Sequence, residues 1–160
     1  MTSESAFWKL SEYVRGRLEA IAPAQGYFNT AGSVVPGPIA IEEIDGELES
    51  PGFAYEIADI ATIADERTFD EDKAITTVTV HGYKKTSQVG AEWKLEANLE
   101  ASRLHHDLWK ALMESQGMGC NAHKVEAASP NRWGLVPGMP GWVEAVTTVL
   151  VYHALSYRGE

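Results

Sequence analysis

Residues 74–83 read Ala-Ile-Thr-Thr-Val-Thr-Val-His-Gly-Tyr, and this stretch is the clearest strand in the chain. Its β-branched side chains favour a pleated, half-buried conformation. Residues 53–57 alternate between apolar and polar side chains and predict a second strand. The apolar positions change parity beyond that stretch, which predicts a bulge or bend near Asp59. We therefore expect two neighbouring strands joined by a polar connection.

Two amphipathic helices flank this central pair of strands. Residues 4–22 and about 91–115 both place apolar side chains at helical spacing. Proline at 23 and glycine at 26 end the first helix, and glycines at 117 and 119 end the second. The predicted core faces are Phe7, Leu10, Val14, Leu18 and Ile21 in the first, and Ala97, Ala101, Leu104, Leu108, Ala111 and Leu112 in the second.

The remaining segments predict shorter or irregular elements. Val34-Val35 precedes two prolines, so it belongs on a sheet edge or in a loop, and residues 39–44 predict a short strand. Residues 124–127 predict another strand, and the Gly/Pro-rich residues 129–142 predict an irregular loop. Val143 to Tyr157 is apolar on both parities, as in a strand covered on both faces.

Together the elements predict an α+β fold, in which a small mixed or antiparallel β-sheet packs against two main α-helices. We expect one domain over residues 1–160, since a chain of 160 residues and 17.5 kDa can bury a core without metal or disulfide.

The composition excludes several functional classes. The net charge is −10, whereas a nucleic-acid binder needs a basic footprint and a peripheral membrane protein needs Lys and Arg on a polar face. No apolar run approaches the roughly 20 residues that span a bilayer. The first residues lack the pattern of a secretory signal, and Cys120 is the single cysteine. We expect an intracellular protein without membrane contact.

No motif in the sequence indicates catalysis. His105 and His106 are neighbours on a helix and point about 100° apart, so they cannot ligate one ion. Cys120 and His123 have no second pair that could complete a zinc site. Glu42-Glu43 and Asp70-Glu71-Asp72 lie in turn-rich segments expected to be solvated, and phosphate-binding loops are absent. We predict no catalytic, cofactor or metal site, although a small enzyme or binding module without a recognisable motif remains an alternative.

Two segments carry candidate partner contacts. The connection between the central strands places one apolar residue, Phe69, among five acidic residues, so Phe69 could dock while the charges prevent self-association. The alternative is a solvated loop. Large apolar residues in the loop at 129–142 indicate a contact surface or a lid on the core. The predicted contact residues are Phe69, Asp70, Glu71, Asp72, Trp133, Leu135 and Met139.

Two stretches resemble tail-terminator proteins of long-tailed bacteriophages. Residues 14–35 are similar to the family's opening, in which a helix ending in Leu-x-x-Ile precedes a Gly-Tyr turn and a short Val-containing strand. Residues 101–112, Ala-Ser-Arg-Leu-His-His-Asp-Leu-Trp-Lys-Ala-Leu, are similar to the family's later helix. The order of elements fits over most of the chain. The residues that carry the first match are Leu18, Ile21, Gly26, Tyr27, Thr30, Gly32, Val34 and Val35.

The resemblance implies a structural virion protein that is not an enzyme. Such a subunit forms a homo-oligomer, a hexameric ring, on the last ring of tail-tube protein and halts tube polymerisation. Its other face joins the neck or head-completion protein, and double-stranded DNA passes through the lumen. A contractile tail would add the sheath as a partner. The implied location is the tail–neck junction of the virion, and the host cytoplasm during assembly. A neck or head-completion connector subunit is the alternative.

Overall fold

A computed structural model describes residues 6–62, 71–114, 118–119, 122 and 124–156, and most of these lie in helices or strands. The helices are α1 (Ala6–Glu19), α2 (Ile44–Glu47) and α3 (Trp93–Met113). The strands are β1 (Val34–Pro36), β2 (Gly52–Thr62), β3 (Glu71–Lys85), β4 (Lys124–Leu135) and β5 (Trp142–Ser156).

The five strands form one sheet in the order β1-β2-β3-β5-β4. β1 runs parallel to β2, and the other neighbouring pairs are antiparallel. The pairing of β2 with β3 shifts between Ala58 and Ile60, which confirms the bulge predicted near Asp59. The sheet is therefore mixed, and with α1 and α3 it confirms the predicted α+β class.

α1 and α3 pack on one face of the sheet and enclose the main core. All six residues of the predicted α3 stripe are buried, as are Leu10, Val14, Leu18 and Ile21 from the first helical segment. They pack against strand residues that include Phe53, Val78 and Val149. Phe7 was predicted to face this core, which is wrong. It is 47% exposed and lines a groove beside Pro36, where the short edge strand no longer covers the first turn of α1.

The opposite face of the sheet carries α2 at one end. Ile44 and Leu48, one helical turn apart, are buried against Tyr83 and Trp142. The strand predicted at residues 39–44 is therefore wrong: a 3-10 turn, Ile41–Glu43, leads into α2 instead. The reason is that Ile39 and Ile44 pack on the same cluster while Ile41 is exposed, a pattern that the two-residue alternation of a strand cannot produce. The predicted burial of β5 on both faces holds for residues 142–149, whereas Leu150 and Tyr152 further along the strand are only half-buried.

β4 corrects the loop predicted at residues 129–142. The strand continues through Pro130 to Leu135, and its pairing with β5 shifts between Ala128 and Arg132. Pro130 lacks an N–H group, and an edge strand with a bulge tolerates that loss because, among the described residues, one side of β4 has no neighbouring strand. Only the segment from 136 to 141 connects β4 with β5.

Candidate interaction surfaces

The helical turn of α3 places His105, His106 and Asp107 in three different environments. His105 is half-buried and donates a hydrogen bond from Nε2 to Oδ1 of Asn131. His106 is exposed, and Asp107 is fully buried. The three side chains therefore do not converge on one point, as the 100° step of a helix dictates.

Asp107 holds the segment that follows α1 against α3. Its carboxylate accepts hydrogen bonds from the backbone N–H groups of Phe28 and Asn29, both at 2.9 Å, and from Nδ2 of Asn29 at 2.8 Å. Gly26 makes this approach possible, because its φ of +88° turns the chain after the 3-10 turn Pro23–Gln25. A buried carboxylate with three donors fixes the backbone on both sides of Phe28.

A chain of polar contacts extends from this anchor along α3. Nζ of Lys84 donates to Oδ1 of Asn29 at 2.6 Å and to Oε2 of Glu100 at 2.7 Å. Arg103 donates to the other oxygen of Glu100 at 3.0 Å. The hydrogen bond from Lys84, reinforced by the two positive charges, holds the pKa of Glu100 below its ordinary value although burial opposes this. The network links α3, β3 and the segment that carries Phe28.

Phe28 itself projects outward from this network. Its side chain is 57% exposed, its ring meets the edge of His106 at 5.3 Å between centroids, and the Arg103 guanidinium lies 5.6 Å from the ring centre. Leu99 is half exposed on the same outer side of α3. We define the Phe28 patch as Phe28, Leu99, Arg103 and His106.

A groove of about 470 Å³ lies beside the Phe28 patch. Lys84, Lys85, Leu99, Glu100 and Arg103 are among the residues that line it. Cations also lie on the other side of Phe28, where Lys110 sits over the Tyr27 ring and Arg17 donates to the Tyr27 hydroxyl. The surroundings of Phe28 are thus rich in cations in a chain whose net charge is −10.

The exposed surface of α2 and the turn before it has the opposite charge. Ile41 is 44% exposed and is followed by exposed Glu42, Glu43 and Asp45. Asp45 forms an exposed ion pair at 3.0 Å with Lys85. We define the α2 patch as Ile41, Glu42, Glu43 and Asp45. The prediction that Glu42 and Glu43 are solvated is confirmed.

Of the predicted contact residues near β4, Trp133 is the most exposed. It is 51% exposed and packs against His105 with ring centroids 5.1 Å apart. Leu135 is half-buried against the cluster of Ala97, Ala101 and Val143, and Met139 packs on the α2 cluster with Tyr83 and Trp142. Leu135 and Met139 therefore favour the second of the two interpretations, in which residues of this segment fold back over the core instead of forming a contact surface.

The last two residues of the predicted acidic connection belong to a strand instead. Glu71 and Asp72 begin β3, and their backbones pair with Ser156 and Leu155 of β5. Phe69 and Asp70 lie outside the described residues, so their role as contacts stays a prediction. Cys120 and His123 also lie outside the described residues, so the prediction that they form no zinc site stays a prediction.

Within the described residues, no group of three or more His, Cys, Asp or Glu side chains is arranged to hold a metal ion. Among the same residues, no helix has the length and apolar character needed to cross a bilayer.

The Phe28 and α2 patches are the features that sequence reasoning missed. Asp107 could have been recognised, since Leu104, Asp107, Leu108 and Ala111 follow the i, i+3, i+4, i+7 spacing of a buried helix face. An acid at such a position indicates a buried anchor. Nothing in the local pattern distinguishes Phe28 from its buried neighbour Tyr27, because their exposure is decided by contacts with α3.

Comparison with known proteins gives no relative: no protein-family model matches this chain, and a search of curated proteins finds no similar sequence.

Proposed function

We propose that this protein is a tail-terminator subunit of a long-tailed bacteriophage, which closes into a ring, caps the tail tube and joins it to the neck. The observation that carries the proposal is Phe28. An exposed aromatic ring whose backbone is fixed by a buried carboxylate has the properties of a contact residue in a protein interface, because little conformational entropy is lost when it binds.

A second argument is the number of large apolar side chains at the surface. Besides Phe28, the side chains of Trp8, Leu95 and Trp133 are about half exposed or more, and they lie on α1, α3 and β4 respectively. An assembly subunit that contacts its own copies, the tube and the neck needs several such surfaces. Together with the resemblance at residues 14–35 and 101–112, this favours a structural role in the virion.

The charge of the chain fits the same role. A ring around double-stranded DNA must let the phosphates pass without binding them, and like charges on the ring repel them. The net charge of −10 provides this repulsion, whereas a basic lumen would retain the DNA.

Native mass spectrometry combined with negative-stain electron microscopy tests the proposal. We expect ring-shaped particles of six 17.5 kDa subunits that bind the ends of tail tubes and stop further polymerisation of tube protein. Rings that do not bind tube ends but do bind the head connector would favour a neck subunit instead. A chain that stays monomeric at every concentration, with or without tube protein, would contradict both roles.

A further inference from the structure

The Phe28 patch and the α2 patch have complementary chemistry. Each presents a large apolar side chain about half exposed, Phe28 in one and Ile41 in the other. Phe28 is flanked by Arg103 and lies near Lys110. Ile41 is flanked by acidic residues.

The balance of charge differs in sign between the two surfaces. Around the Phe28 patch the cations are Arg17, Lys84, Arg103 and Lys110, and the carboxylates near these cations or the segment are Glu100, Asp107 and Glu114, so the cations are in slight excess. Residues 42–49 hold five acidic residues, and Lys85 is the cation that pairs with one of them. Opposite potentials on two surfaces of one chain attract copies of that chain to each other.

The two patches lie on opposite faces of the sheet at the same end. Successive residues of a strand point to opposite faces. At the end of β3, Lys84 reaches Glu100 in α3 on one face, and Lys85 reaches Asp45 in α2 on the other. A contact between the two patches therefore joins different surfaces of two copies. Such a heterologous contact repeats from copy to copy and closes into a ring if the rotation allows.

Both patches are held rigidly before any contact forms. Asp107 fixes the backbone at Phe28, and the buried side chains of Ile44 and Leu48 fix α2 beneath Ile41. Surfaces that are ordered in the free subunit lose little entropy on association.

We propose that the Phe28 patch of one copy binds the α2 patch of the next, and that this contact builds the ring. This proposal rests on the proposed function, from which the ring is taken. It adds the identity of the two surfaces that form the contact between neighbouring subunits. The occupant of each patch is a second copy of this chain, because the charges of the two patches are opposite and their apolar residues are similar in size.

Two variants and their mixture test the contact. Phe28→Glu blocks the first patch and Ile41→Lys blocks the second, and both residues are exposed enough that the fold should persist, as circular dichroism and thermal unfolding would verify. Each variant alone should self-associate about thirtyfold more weakly than the natural chain, as expected for the loss of an interface hot spot. Val89→Glu, at a position 83% exposed outside both patches, is the matched control and should assemble normally.

The mixture identifies the pairing. In an equimolar mixture, the intact Phe28 patch of the Ile41→Lys chain meets the intact α2 patch of the Phe28→Glu chain. Native mass spectrometry should then show hetero-oligomers that contain both chains, beginning with the one-to-one heterodimer, at concentrations at which each variant alone stays monomeric.

Each other outcome overturns the proposed contact. If the Ile41→Lys chain dimerises alone, the contact is symmetric between two Phe28 patches. If both variants form rings like the natural chain, or if the mixture stays monomeric, these patches do not bind each other, while the terminator role survives. If the natural chain never self-associates, the contact and the proposed function fail together.

Discussion

Asp107 shows at the scale of one residue how an acidic side chain can be structural. It has no exposed surface, yet three donors from Phe28 and Asn29 satisfy its carboxylate. Charge-assisted hydrogen bonds of this kind offset the cost of taking a carboxylate out of water. Asp107 therefore joins α3 to the segment after α1, and it controls the position of Phe28 without touching a partner.

We expect Asp107→Ala to lower the free energy of unfolding by about 3 kcal/mol, because it leaves buried N–H donors without an acceptor. Asp45→Ala is the matched control, since Asp45 forms an exposed ion pair and its loss should cost less than about 1 kcal/mol. Urea unfolding of both variants measures the difference. Equal effects would show that the hydrogen bonds of Asp107 contribute no more than a surface contact.

His81 is expected to make the stability depend on pH. Burial lowers its pKa, and Arg132 acts in the same direction, while Glu144 and Glu56 oppose the shift. The folded chain therefore takes up a proton at His81 at lower pH than the unfolded chain, whose histidine titrates near the ordinary value of 6.5. The stabilising contribution is complete above that value and is lost as the pH falls through the pKa of the folded state.

We accordingly expect His81→Gln to flatten the fall in stability between about pH 7 and pH 5, the range in which histidines titrate. The natural chain, unfolded under the same conditions, is the control. Chemical unfolding at a series of pH values provides the measurement. A slope that is the same for the His81 variant and the natural chain would show that another group causes the dependence.

At the scale of elements, α3 has one side that packs in the core and one side that faces solvent. Its inner side buries Leu104, Leu108 and Leu112 in the core, and its outer side exposes Leu95 and Leu99. An apolar residue is therefore not enough to locate the core, since both sides of this helix carry leucine. The two sides of the helix differ because the inner side packs against the sheet.

The difference between the buried and the exposed side of α3 can be tested with two matched substitutions. Leu108→Asp places an unpaired charge in the core and should cost more than about 4 kcal/mol or abolish folding. Leu99→Asp makes the same change on the outer side of the same helix and should change stability by less than about 1 kcal/mol. Circular dichroism and urea unfolding measure both. A folded Leu108→Asp protein would show that the inner face of α3 is wrongly assigned.

β4 is the element that differs most from its sequence pattern. Its outer edge has no neighbouring strand within the described residues, and it carries Lys124, Glu126, Pro130 and Arg132. Charged residues, proline and a bulge on an edge strand hinder uncontrolled pairing with other chains. Under the proposed function, the exposed Trp133 beside His105 is available to contact the tube or the neck.

At the scale of the whole molecule, oppositely charged patches should make ring assembly sensitive to salt. Screening shortens the range of electrostatic attraction from about 10 Å at 0.1 M to about 3 Å at 1 M ionic strength. We expect self-association to weaken several-fold over this range, as measured by analytical ultracentrifugation. Arg103→Gln, which keeps a polar side chain but removes one charge, should weaken association at low salt and show a smaller response to salt. Association that strengthens steadily with salt would indicate a contact dominated by apolar burial.

The periodicity of the sequence alone determined the main elements. The alternation at residues 53–57 and 74–83, the helical stripe of α3 and the bulge near Asp59 all appear in the structure as predicted. These features depend on local geometry, since a strand repeats every two residues and a helix every 3.6. The α+β class follows from their order.

Tertiary structure decided the remainder. β4 continues as a strand past Pro130 because β5 pairs with it on both sides of the bulge, at residues 124–128 and 132–135, and Asp107 is buried because the turn at Phe28 supplies donors. Phe28 is exposed and Tyr27 buried for the same reason: α3 covers one side of that turn and leaves the other open. Local sequence defines which side chains share a face, but burial and exposure depend on which distant faces meet.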